Sequence, residues 1–123
     1  MDIKTIVRVV KNQVRLSTRG LDRDGNLAVF LAEIPILVSR RPARRRMGFF
    51  QGQGIGDVGR IIINTNTCPT EALFESTLFH ELAHAVCHWV HGREADTHGP
   101  KWKAIMVQMG QEPTRCHTPK EKP

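Results

Sequence analysis

The sequence has no tyrosine, only three cysteines, and no apolar run of the roughly 20 residues that a transmembrane helix needs. Without tyrosine, no phenol can stabilise an oxyanion. A hydrolytic site in this chain would have to use a metal ion, an arginine, a histidine or a backbone N–H. Cys68, Cys87 and Cys116 are odd in number and scattered, with no CxxC pair, so no disulfide framework is expected and free thiols in a reducing compartment are. The N-terminal stretch is broken by Asp2, Lys4, Arg8, Lys11 and Arg15, which leaves no uninterrupted apolar segment of the kind a signal peptide carries. The expectation is a cytoplasmic protein with no membrane partner.

What remains is ordinary for a globular chain: 123 residues, 40% hydrophobic and 24% charged. That is enough for one domain over residues 1–123 with one modest core, ending in a polar tail from about residue 111. The formal net charge of +6 favours an anionic partner such as nucleic acid. The densest positive charge is Arg40-Arg41-Pro42-Ala43-Arg44-Arg45-Arg46. Arg40, Arg41, Arg44, Arg45 and Arg46 are therefore the candidate phosphate contacts, against the plainer alternative of a solvated loop or strand edge.

Residues 2–18 read as an amphipathic helix, with Ile3, Ile6, Val7, Val10 and Val14 at helical spacing. A turn at 22–26 follows. Residues 27–39 are apolar and partly β-branched, and Pro35 suggests an edge position or two short strands there. Residues 47–51 and 60–64 read as further strands joined by a glycine-rich hairpin loop, Gly52 to Gly59. A long helix is expected from Thr70 to His91, and a second from Pro100 to Met109, closed by Gly110. The order of elements predicts an α+β fold with a short antiparallel or mixed sheet.

The chemistry lies in Phe79-His80-Glu81-Leu82-Ala83-His84. At about 100° and 1.5 Å per residue, His80 and His84 stand about 40° and 6 Å apart on one helical face, so both imidazoles can reach one ion. Glu81 flanks that ion, where a general base for a water must stand. From Ser76 to His91 the only charged side chain is Glu81, so the helix should be covered on most sides, with Leu78, Leu82, Ala85, Val86 and Trp89 forming a stripe opposite the histidines. Covered histidines and a covered carboxylate need partners, and a cation supplies one.

A catalytic zinc takes three protein ligands and leaves one position open. Cys87, His88 and His91 lie too far along the same helix to share the ion. Glu94, Asp96, His98 and Glu112 are candidates from a returning segment, and His98 is favoured because imidazole suits zinc.

These residues resemble the SprT-like (Spartan-type) zinc metalloprotease family. The likeness runs from Ser76 to Ala85 and through His98-Gly99-Pro100-Lys101-Trp102-Lys103. It extends upstream to Arg44–Phe50 and Arg60–Asn64, and downstream to Met109-Gly110 and Pro113–His117. The resemblance implies a small zincin-like core, one Zn2+ held by His80, His84 and His98, and peptide-bond hydrolysis assisted by Glu81. It further implies action on DNA-bound or DNA-crosslinked proteins. A substrate peptide could add to the strand at Ile61, Ile62, Ile63 and Asn64. Two rival expectations are a non-catalytic DNA-binding module with a structural zinc and a zinc hydrolase of a small amide. A fourth protein ligand would favour the first, and a deep closed pocket the second.

Overall fold

The computed structural model describes residues 1–42, 47–52 and 58–114. Helix α1 (Ile3–Ser17) starts at Asp2, whose carboxylate accepts the Thr5 N–H and the Thr5 hydroxyl. Its apolar face, Ile6, Val10 and Val14, is buried. Lys11 bends back and donates its ammonium to the carbonyls of Ile34 (2.6 Å) and Ala32 (3.3 Å). That capture desolvates the amine and lowers its pKa.

The segment expected to open with strand is instead helix α2 (Asn26–Glu33), followed by a single short strand, β1 (Ile36–Ser39). Leu27, Phe30, Leu31 and Ile34 fall at i, i+3, i+4 and i+7, and all four are buried. Gly25 takes a left-handed conformation (φ 85°) at the N-cap. The capping oxygens come from Asp22, which accepts the N–H groups of Leu27 and Ala28 at 3.1 and 3.0 Å. Pro35 then ends the helix.

Strands β2 (Gly48–Gln51) and β3 (Arg60–Asn64) complete a three-stranded sheet ordered β1-β3-β2. β1 runs parallel to β3 and β2 antiparallel to it, so the sheet is mixed. The antiparallel β2–β3 pair agrees with the expected hairpin, whose residues 53–57 lie outside the described ones. Ile61 and Ile63 are fully buried on the inner face, and the row Leu37–Ile62–Phe49 lines the outer face.

Helix α3 (Glu71–His91) is capped by the Thr70 hydroxyl, which accepts the Leu73 N–H. As its lack of charge suggests, it is buried nearly all round, from Phe74 to Cys87. Leu78, Leu82, Ala85 and Val86 are wholly buried. Trp89 departs from the expected stripe: it is 44% exposed and stacks on Phe30 with ring centroids 4.7 Å apart. A side chain at Gly48 would meet Thr77 Cγ2 at 3.0 Å, so this glycine lets α3 lie close against β2. Helix α4 (Pro100–Gln108) closes the fold, with Trp102, Ile105 and Met106 buried. Cys68 and Cys87 are buried free thiols. No helix among the described residues is long and apolar enough to cross a membrane.

Candidate metal centre

His80 and His84 project from α3 on one side, and a short returning segment brings His98 to meet them. The Nε2 atom of His98 lies 3.1 Å from that of His80 and 3.1 Å from that of His84. A tetrahedral ion with Zn–N bonds of about 2.0–2.1 Å holds its ligand atoms roughly 3.3 Å apart. The three histidines, whose ligand atoms lie within 4.8 Å of one another, could thus hold a metal ion. No fourth His, Cys, Asp or Glu joins the cluster among the described residues. Burial presses the His84 pKa down to about 4, helped by neighbouring His98 and opposed by Asp96. At neutral pH its imidazole is therefore uncharged and has a lone pair to give.

The floor of the cluster is Trp102, fully buried at the start of α4. Its indole stacks on His84 (centroids 5.2 Å, 20° between planes) and stands edgewise to His80 (4.8 Å) and His98 (4.7 Å). Its indole N–H points to the His80 carbonyl at 3.5 Å. Asp96 places this helix. Its carboxylate accepts the Lys101 and Trp102 N–H groups, both at 2.9 Å. Partial desolvation would raise its pKa, but those N–H groups and the Lys101 charge outweigh this and keep it low. Gly99 makes room for the carboxylate, since a Cβ there would lie 2.6 Å from Asp96 Oδ2. His98 itself has φ 64°, a left-handed conformation uncommon outside glycine.

The other ligand candidates are placed elsewhere. Asp96 is committed to α4. Glu94 extends into solvent and pairs with Lys101 at 3.8 Å. Glu112 is exposed beyond α4. Cys87 packs towards Asp96, and burial pushes its thiol pKa up. His88 is exposed and leans on Phe50, ring centroids 5.7 Å apart. Cys116 and His117 lie outside the described residues.

Glu81 is buried and, with the three histidines, lines an open cleft of about 630 Å³. Gly48, Phe49 and Phe50 of β2 form part of its wall, and His88 and Arg93 another part. β3, the expected substrate strand, is not available for strand addition. It is the central strand, hydrogen-bonded to neighbours on both sides. Ile61 and Ile63 are buried, Ile62 faces outward, and Asn64 holds the chain after β1 by donating to the Arg41 carbonyl at 2.9 Å. Asn66 donates to the Arg40 carbonyl in the same way. Arg40 and Arg41 are exposed there, while Arg44, Arg45 and Arg46 lie outside the described residues.

Sequence reasoning did not single out Trp102 as part of the site. Its signal was its position four residues after His98, as a large apolar side chain in the first turn of α4. Asp96 was weighed only as a ligand, because it stands three residues before the usual capping position, Gly99.

These elements define the chain as an α+β protein in which two histidines of the central helix and a third from a returning segment form a cluster that could hold a metal ion. The chain belongs to the SprT-like family, whose model matches residues 31–121. It is 38% identical over 50 residues to Protein SprT of Pseudomonas fluorescens, a stretch covering 40% of this chain and 30% of that protein. It is 41% identical over 49 residues to Protein SprT of Pseudomonas aeruginosa, covering 39% and 30%. The match thus spans about 30% of the length of these curated relatives. No solved structure matches the chain.

Proposed function

We propose that this protein is a zinc-dependent peptidase in which His80, His84 and His98 hold the metal and Glu81 is the general base. The observation that carries the reading is the convergence of His98 on the helical His80–His84 pair, with the buried Glu81 on the same cleft. A zinc ion bound there would lower the pKa of a water towards 7 and polarise a carbonyl. Glu81 would take the proton from that water and deliver it to the leaving nitrogen. With no tyrosine in the chain, His88 or Arg93, which line the cleft, would meet a developing oxyanion.

The edge of β2 that faces away from β3 would hold the substrate. Asn64 donates to the Met47 carbonyl, which makes 47↔64 a hydrogen-bonded pair. By antiparallel alternation Phe49 and Gln51 also bond to β3, and Gly48 and Phe50 turn their backbone groups to the other side. An extended peptide laid along that edge would run beside the histidines. This open, strand-walled cleft supports a peptide over a small amide. A ligand set of three among the described residues supports a catalytic over a structural metal.

DNA-associated or DNA-crosslinked proteins are the substrates that family membership and the exposed Arg40 and Arg41 favour. Replacing Arg44, Arg45 and Arg46 with alanine is expected to weaken DNA binding and flatten its salt dependence. The chemical proposal is tested by Glu81→Gln. The variant should bind one zinc per chain as wild type does, yet cleave casein at least about a hundredfold more slowly. A zinc-loaded Glu81→Gln protein with full activity would refute the reading.

A further inference from the structure

Helix α1 carries Lys4, Arg8, Lys11 and Arg15 and no acidic residue of its own, with Asp2 at its cap. At about 100° per residue these four positions fall within about 60° of one another around the axis, over roughly 16 Å of length. Lys4, Arg8 and Arg15 are exposed. Lys11, held against the Ala32 and Ile34 carbonyls, adds its charge from below. Arg8, Lys11, Asn12 and Arg15 also line one side of a groove of about 240 Å³ between α1 and α2. Its other wall is Ala28, Leu31 and Ala32, so no carboxylate lines it. Asp2 is close enough to Arg8 to have its pKa lowered slightly by it, after the larger effect of its bonds to Thr5.

The exposed Lys4, Arg8 and Arg15 stand about 6 and 10.5 Å apart along the axis, with Lys11 between the last two, a spread that suits phosphates along one strand better than a single anion. A basic helix can also lie on an anionic membrane, but only by burying its apolar face in lipid. Here the main apolar face, Ile6, Val10 and Val14, is in the protein core, and of the large apolar side chains on α1 only Val9 and Leu16 are exposed. We infer that the Lys4–Arg8–Arg15 face of α1 is a binding surface for the phosphate backbone of nucleic acid. It is separate from the Arg40–Arg46 run, shares only the partner class of the proposed function, and needs no metal and no catalysis.

The test is fluorescence anisotropy of the full chain with a 20-base-pair DNA duplex at several salt concentrations. The triple variant Lys4→Gln, Arg8→Gln, Arg15→Gln keeps Lys11 and the whole arginine run. It should bind about tenfold or more weakly at 50 mM salt, with the log–log salt slope reduced by about 2–3. The single variants Arg8→Gln and Arg15→Gln should each reduce the slope by about 1, which keeps the test valid if the triple variant folds poorly. An unchanged affinity and slope in all three, or a wild type that does not bind the duplex, would overturn the inference. So would tighter binding to phosphatidylserine vesicles than to the duplex at equal salt. Casein cleavage by the zinc-loaded triple variant reports separately on the peptidase reading, because none of these residues lines the metal cleft.

Discussion

The Asp96 carboxylate accepts the Trp102 N–H at 2.9 Å, and through that bond the loop bearing His98 is tied to the helix whose indole floors the histidine cluster. The residue that caps α4 thereby also fixes the third histidine. Asp96→Ala should remove the cap, at a cost of about 1–2 kcal/mol in unfolding free energy. It should also weaken zinc binding about tenfold to a hundredfold, as loss of an orienting neighbour does. Asp96→Asn keeps one acceptor and should fall between. Urea unfolding of the zinc-free protein and competitive zinc titration measure the two effects.

His98 takes on a local backbone penalty in meeting His80 and His84, with φ at 64°. Glycine meets no such penalty there and alanine does. Both His98→Gly and His98→Ala should lose tight zinc binding. His98→Gly should be the more stable of the two by about 1 kcal/mol in the zinc-free form. Equal stabilities would mean that residue 98 relaxes out of this conformation when the imidazole is removed.

How far residues announced their own places depended on whether the signal was local. The α3 helix and its His80–Glu81–His84 face follow from periodicity and from the absence of charge, both complete within one segment. His98 was also within reach of sequence reasoning, because a third ligand had to return from nearby. α2 is less legible because Pro35 and the β-branched residues of this stretch favour strand and compete with the i, i+3, i+4, i+7 spacing of Leu27, Phe30, Leu31 and Ile34. The cap that favours this helix, Asp22, stands outside the usual position. The assignment of β3 as substrate strand failed for a different reason. Strand order is a long-range property, and nothing within Arg60–Asn64 says that both edges are occupied.

His84 gives the zinc-free protein a defined pH response. Its pKa is near 4 in the folded state, against about 6.5 for an ordinary histidine. Above pH 6.5 it is neutral in both states and contributes no pH dependence. Between 6.5 and 4 the unfolded chain takes up a proton that the folded chain refuses, so stability falls as pH falls and levels off below 4. Allowing for the partial exposure of His84, the loss is on the order of 2 kcal/mol. Unfolding free energies at pH 7 and pH 4.5 should differ less in His84→Gln than in wild type. The same protons compete with the metal, so zinc release should accompany acidification. Identical pH profiles for His84→Gln and wild type would remove His84 as the source.

Trp102 fills the space beneath three imidazoles and is wholly buried. Trp102→Ala should cost about 3–5 kcal/mol through the cavity it leaves, while Trp102→Phe should cost less but lose the indole N–H near the His80 carbonyl. If the indole positions the ligands, Trp102→Phe should bind zinc more weakly than wild type under conditions where it is fully folded. Zinc affinity equal to wild type would limit Trp102 to a packing role.

The β2 edge can be tested by removing one N–H. Phe50 pairs with Ile61 at a position whose backbone groups turn away from β3, and the residue lines the cleft. Proline at such a place removes an edge donor without breaking the ladder. It also removes the ring that packs on His88, so the matched control is Phe50→Ala, which loses the ring and keeps the N–H. A backbone hydrogen bond to substrate is worth about 0.5–1.5 kcal/mol net, so KM for a peptide should be roughly three- to tenfold higher in Phe50→Pro than in Phe50→Ala. Zinc content should be the same in both. If the two variants show the same KM, the peptide does not take its hydrogen bond from this N–H, and the strand-addition geometry must be given up.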